Sequence, residues 1–222
     1  MAVSRFRTVL FDLDGTLLDT APDLTWAINQ LRAEHGLPAL SCEFVRPTVS
    51  HGTPRMLHAA FGIDTTHPDF PGLRTRLLDL YQGHIADMTT PFRGMAEALV
   101  ALEEAGMNWG VVTNKPAFLT NPIMARLGLA ARAVTVVSGD TTPFSKPHPA
   151  PLLHACQEAG SLPTECVFVG DAECDIAAGR AAGMATVVAL FGYLSADDAP
   201  HKWGADVLVE SPATMLDWIL AA

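Results

Sequence analysis

The chain has 222 residues, 49% of them hydrophobic and 17% charged, with 14 Lys and Arg against 24 Asp and Glu for a formal net charge of −10. That apolar fraction supplies a core and excludes a disordered chain. The acidic balance, without clustered Lys and Arg, excludes a nucleic-acid partner.

The N-terminal apolar run is too short for a secretory signal. No stretch approaches the roughly 20 apolar residues of a membrane span. Cys42, Cys156, Cys166 and Cys174 form no CxxC pair and no Cys/His set with zinc spacing, so they read as free thiols in a reducing compartment. The expectation is a soluble, cytoplasmic protein with no membrane partner, either a monomer or a homodimer.

In chain order, the first strand is expected at Thr8–Phe11 (TVLF). From Leu17 to Pro91 no convincing strand follows. Leu24, Ala27, Ile28 and Leu31 sit at helical spacing, with Gly36 after them. Thr53-Pro54 offers an N-cap and first helical residue ahead of Met56, Leu57, Ala60 and Phe61. Leu73, Leu77, Tyr81 and Ile85 make a third stripe. Beyond Phe92, strands expected at Trp109–Val112, Val134–Val137, Cys166–Val169, Thr186–Leu190 and Val207–Val209 alternate with helical patterns. Gly106, Gly128, Gly160 and Gly183 close those helices. The strands are nearly all apolar, not alternating, which marks parallel strands buried on both faces. The reading is therefore α/β: a Rossmann-like doubly wound parallel sheet in residues 1–16 and 92–222, with a helical bundle inserted at residues 17–91.

The first strand ends in Asp12-Leu13-Asp14-Gly15, two carboxylates at the carboxyl end of a buried strand before a turn. Two like charges are costly there unless a cation neutralises them. Later strands end in Val112-Thr113-Asn114-Lys115 and in Gly170-Asp171-Ala172-Glu173-Cys174-Asp175. Ser145-Lys146-Pro147 lies past the third. Sites in open α/β sheets form at these carboxyl ends. A site this acidic needs a divalent cation if its substrate is a phosphate.

The four segments FDLDGTLLDT, VVTN, SKP and GDAECD resemble the motifs of the haloacid dehalogenase superfamily, in its phosphatase branch. The resemblance spans essentially the whole chain. It implies a Rossmann-like core, a helical cap matching the insertion, and Mg²⁺-dependent hydrolysis of a small phosphorylated metabolite. By that resemblance Asp12 is the nucleophile and Asp14 the acid–base residue whose backbone also faces the metal. Thr113 and Asn114 bind the phosphoryl group, and Lys146 neutralises charge. Asp171 ligates Mg²⁺ with Asp12, and Asp175 acts beside the metal. Arg46 and His51 lie where related caps place a specificity loop. Asp14 argues for phosphoryl transfer over dehalogenation, since a halide needs no acid. A sugar phosphomutase using the same aspartate remains the alternative. Ala172 departs from the polar residue common in relatives and leaves one hydrogen bond around the metal in doubt. Within the superfamily the chain is similar to phosphoglycolate phosphatases. Its tail, Phe191 to Val207, looks more like the N-acetylmuramic acid 6-phosphate phosphatases. Both substrates stay open.

Overall fold

The computed structural model describes residues 4–222. Strand β1 (Thr8–Phe11) leads to the two-residue β2 (Leu18–Asp19). A helical stretch follows: α1 (Ala21–Glu34), α2 (Cys42–Val45), a 3₁₀ turn at Arg46–His51, α3 (Gly52–Phe61) and α4 (Phe70–Gly83). The chain returns through β3 (Thr90–Pro91) and then alternates: α5 (Met95–Glu104), β4 (Asn108–Val112), α6 (Ala117–Arg126), β5 (Val136–Val137), α7 (Ala150–Ala159), β6 (Cys166–Gly170), α8 (Glu173–Ala182), β7 (Ala185–Ala189), β8 (Val207–Val209) and α9 (Pro212–Ala221).

The main sheet is parallel throughout, in the order β5-β4-β1-β6-β7-β8. The continuous apolar runs follow from burial on both faces. Val9, Phe11, Val111, Val167 and Val169 join the side-chain core that includes Leu99 and Leu102 of α5 and Met215 and Ile219 of α9. Leu10, Val112 and Phe168, offset by one residue, join Leu152 and Ala155 of α7 and Ala178 of α8 on the opposite face. Each such large side chain, fully removed from water, contributes about 1.5–3 kcal/mol. The chain builds outward from β1 to β4 and β5, then crosses back to β6, so the direction of winding reverses beside β1. That reversal opens a crevice at the carboxyl ends of β1, β4 and β6.

The helical stretch buries the expected stripes. Ala27, Ile28 and Leu31 of α1 face Leu77 and Tyr81 of α4 and Leu57 of α3, all with no measurable exposure. Four expectations need correcting. The 17–91 segment does contain strand: β2 and β3 pair antiparallel, Leu18 opposite Pro91 and Asp19 opposite Thr90. Two-residue strands carry no pattern, and their pairing joins segments about seventy residues apart. Helix α3 starts at Gly52 with His51 as its N-cap, not at Thr53, because the 3₁₀ turn runs directly into it. Ile85 is buried but lies beyond the end of α4 at Gly83. Strand β5 is shorter than Val134–Val137, although Val134 N–H already donates to Trp109 O at 2.8 Å.

Candidate active site

Four loops at the carboxyl ends of the strands converge. Asp12 directly follows β1, Thr113 follows β4, Asp171 follows β6, and Lys146 lies between β5 and α7. Lys146 is the centre of the cluster. Its Nζ is 2.8 Å from Asp12 Oδ1 and 2.7 Å from Asp175 Oδ1, and it donates to Val112 O at 2.8 Å. Burial works against its positive charge, but Asp12 and then Asp175 outweigh it and hold the ammonium well above the ordinary lysine pKa. Asn114 fixes the lysine's backbone from across the crevice. Its Oδ1 accepts from Lys146 N–H at 2.9 Å and its Nδ2 donates to Lys146 O at 3.0 Å.

Asp12 is pushed up to about 6, chiefly by burial, against the lowering effect of Lys146. Asp171 is pushed up to about 8 by burial and then by the charges of Asp12 and Asp175. Its Oδ2 accepts from Tyr193 N–H at 2.8 Å and from Ser50 Oγ at 2.7 Å, and its Oδ1 from Thr16 Oγ1 at 3.2 Å. Among the described residues no lysine or arginine pairs with it. Carboxylate oxygens of Asp12, Asp171 and Asp175 come within 4.8 Å of one another. Three buried oxygen donors with one lysine between them leave negative charge unanswered, and this donor set fits a hard divalent cation such as Mg²⁺. Gly15 makes the approach possible. Its φ is +85°, and a Cβ there would collide with the Asp171 carboxylate and the Tyr193 ring.

The Asp14 side chain stands apart from this triad. Lys115 Nζ holds both its oxygens, at 2.8 and 3.0 Å, and Thr20 Oγ1 donates to Oδ1. The same ammonium lies 4.7 Å from the centroid of the Tyr81 ring, on α4. Burial opposes the lysine's charge, yet Asp14 and Tyr81 raise its pKa above the ordinary value.

A cavity of about 590 Å³ opens over these groups, between the strand ends and the helical stretch. Asp12, Asp14, Thr113, Asn114, Lys146 and Asp175 line it, as does His51, whereas Arg46 and Asp171 do not. Arg46 pairs with Asp19 at 2.8 Å and lies over the Tyr193 ring at 5.3 Å. It braces the entry to α1 in place of facing the cavity. Ala172 lines the cavity, and its N–H donates to Asp175 Oδ2 at 3.1 Å, so the backbone makes a bond there that its side chain cannot.

The family model for haloacid dehalogenase-like hydrolases matches residues 9–189, most of the chain. This protein belongs to the haloacid dehalogenase-like hydrolase family. It is 46% identical over 213 residues to the N-acetylmuramic acid 6-phosphate phosphatase of Pseudomonas aeruginosa, covering 96% of this chain and 94% of that one. It is 47% identical over 206 residues to the phosphoglycolate phosphatase of Xylella fastidiosa, covering 93% and 90%. The crystal structure of a predicted phosphoglycolate phosphatase from Haemophilus somnus superposes with a TM-score of 0.85 at 28% identity, covering 98% of this chain and 99% of that one.

In this haloacid dehalogenase-like hydrolase, sequence reasoning passed over several residues of the site. Lys115 was visible in TNKP, but its partner Asp14 is 101 positions away. Ser50 and Tyr193 reach Asp171 from the helical stretch and the tail, and only the fold brings them there. Asp198 of the tail lies 3.9 Å from His51 and also lines the cavity. No helix among the described residues is long and apolar enough to cross a membrane.

Proposed function

We propose that this phosphatase cleaves a small phosphate monoester through a phosphoaspartyl intermediate on Asp12. The supporting observation is the Lys146 ammonium, locked between Asp12 and Asp175 at the floor of the cavity with Asp171 beside them. Mg²⁺ would be held among Asp12, Asp171 and Asp175 with the backbone of Asp14. When bound, it offsets the charge that would keep an anionic carboxylate and an anionic phosphate apart.

Asp12 attacks phosphorus, the bond to the ester oxygen breaks, and Asp14 gives that oxygen its proton. Asp14 then takes a proton from the water that hydrolyses the acyl phosphate, which restores Asp12 and frees phosphate. Lys146 orients Asp12 and counters charge on the phosphoryl oxygens, which the Thr113 hydroxyl and Asn114 N–H also bind. A carboxylate gripped by an ammonium through both oxygens only accepts hydrogen bonds. Lys115 therefore has to release Asp14 when substrate enters, and Asp14 has to take a proton from solvent before it can give one to the ester oxygen.

Residues 17–91 would act as a cap on a core of residues 1–16 and 92–222, hinged at the β2–β3 pair, with Ser50 reaching from cap to core. Leu24, Val49, Met56 and Leu78 give the cavity an apolar side. Phosphoglycolate would leave most of 590 Å³ empty. A ring with an acetamido methyl would use that volume and surface, which favours N-acetylmuramic acid 6-phosphate. All four cysteines are free thiols, which supports a reducing, cytoplasmic setting.

The test is phosphate release with Mg²⁺ from N-acetylmuramic acid 6-phosphate, 2-phosphoglycolate, glucose phosphates and p-nitrophenyl phosphate, with Asp12→Asn as control. Turnover that needs both Mg²⁺ and Asp12, and a phosphoryl mass on the Asp12 peptide after acid quench, are expected. Release that survives the loss of Asp12 sinks the nucleophile. Stimulation by a sugar bisphosphate with little free phosphate would make the enzyme a mutase.

A further inference from the structure

We infer that Arg74 binds a second anionic group of the substrate, a carboxylate held across a ring-sized spacer from the phosphate; this rests on the phosphatase reading above. Four cationic or potentially cationic side chains on the cavity wall are Lys115, Lys146, His51 and Arg74. Three have acidic partners before substrate enters, and Lys115, even when it gives up Asp14, stays beside Tyr81 at the deep end of the cavity. Lys146 holds Asp12 and Asp175, Lys115 holds Asp14, and His51 lies 3.9 Å from Asp198. Arg74 makes no ion pair and no side-chain hydrogen bond among the described residues, and it is an exposed residue on the cavity wall. A guanidinium offers a planar fork that matches a carboxylate, and on this wall it is free to do so.

Its placement sets a length. Arg74, Leu78 and Tyr81 sit at i, i+4 and i+7 of α4, one helical face, and all three line the cavity. Tyr81 is the deep end, fully buried, with its ring against the ammonium that grips Asp14. Arg74 is the outer end, about 10 Å away along the axis at the α-helical rise. Leu78 lies between them as an apolar step. That rise separates the backbones of Tyr81 and Arg74, so a ligand with its phosphate at Asp12 and a carboxylate on Arg74 calls for a spacer between the two groups. In phosphoglycolate a single carbon joins the ester oxygen to the carboxyl group, so it cannot reach both ends. A sugar 6-phosphate carrying a carboxylate on an ether arm can, with its ring and acetamido methyl beside Leu78.

The experiment is steady-state kinetics of the full-length enzyme, Arg74→Gln and Arg74→Lys, with Mg²⁺. The substrates are N-acetylmuramic acid 6-phosphate, N-acetylglucosamine 6-phosphate and 2-phosphoglycolate. The second keeps the ring, acetamido group and phosphate but lacks the carboxylate. Arg74→Gln should raise KM for the first substrate about tenfold to a hundredfold, the range of a charge-assisted hydrogen bond. Its kcat should stay within about twofold, the sign of binding lost equally from ground and transition states. KM for N-acetylglucosamine 6-phosphate should not move, and Arg74→Lys should recover part of the loss. An equal rise in KM for both ring substrates, or no rise for either, overturns the assignment. So does a wild-type enzyme that prefers 2-phosphoglycolate and loses it on Arg74→Gln, because the ruler is then too long. If the wild type releases phosphate from p-nitrophenyl phosphate but from none of the three, both the ring-sized substrate and its carboxylate contact fall. That result appears before any variant is made, which separates the two failures.

Discussion

Lys146 has two buried carboxylates on one ammonium, and a third carboxylate beside them has no such partner. Both Asp12 and Asp171 bind protons more tightly folded than unfolded, with pKa values raised to about 6 and about 8. Their contribution to stability is therefore greatest below the ordinary carboxylate pKa. It falls as pH rises, toward about 6 for Asp12 and about 8 for Asp171. Metal-free protein should melt lower at about pH 9 than at about pH 5, and added Mg²⁺ should raise Tm more at the higher pH, because only the deprotonated triad binds it. Differential scanning calorimetry with and without chelator reads both; a Mg²⁺ shift independent of pH would contradict the raised pKa values. Asp12→Asn should cut turnover by at least about a thousandfold. Its Tm should be no lower than that of the wild type, because one of three crowded charges is gone. Asp12, Asp14 and Asp171 were legible because each sits in a short motif just past a strand, and Lys146 because it sits in the Ser145-Lys146-Pro147 motif of the loop before α7. Lys115, Ser50 and Tyr193 were not, since a partner 101 positions away for Lys115, 121 for Ser50 and 22 for Tyr193 leaves no local trace.

At the scale of elements, one buried carboxylate ties the helical stretch to its own exit. Asp23, on the first turn of α1, has no measurable exposure and accepts from Met88 N–H and Thr89 N–H at 2.9 Å each and from Thr89 Oγ1 at 2.6 Å. Asp23→Ala would leave the buried Thr89 N–H and hydroxyl, and the partly buried Met88 N–H, without their partner. It should destabilise the protein by about 2–4 kcal/mol, measured by urea denaturation; a loss under about 0.5 kcal/mol would mean water takes over those bonds. The long helices were readable from their stripes. Helix α9 also had a signal, a Ser211 N-cap accepting from Thr214 N–H with Pro212 in the first turn, but the elements expected from the sequence ended at Val209. The β2–β3 pair had none, since Pro91 argues against a strand and is tolerated only in so short a ribbon.

Across the whole molecule, the cavity joins two parts of the chain that meet only in the folded state. The Arg46–His51 turn brings Ser50 to Asp171, and α4 brings Tyr81 to Lys115. If residues 17–91 cap the site, a phosphate mimic with Mg²⁺ should slow amide exchange in residues 45–53 and 113–116 together. Exchange in β8, at the far edge of the sheet, should stay as it was. Protection confined to 113–116 would mean that the phosphoryl site closes without the helices. The net charge of −10 would be offset for an anionic substrate only locally, by a divalent cation held among Asp12, Asp171 and Asp175 together with the unpaired Arg74, because Lys146 and Lys115 already face carboxylates.

The sequence by itself determined the parallel α/β architecture, because strands buried on both faces must be apolar at every position. It also pointed to the family, because two aspartates on one turn, a threonine and a further aspartate each follow a strand, and a lysine lies in the loop past the third. The tertiary structure decided what those residues are bonded to and how large a substrate they face. Lys115 on Asp14, Ser50 on Asp171, Arg46 turned to Asp19 and Arg74 left without a partner all depend on distances between segments far apart in the chain. Such distances are set by packing, which no local pattern encodes.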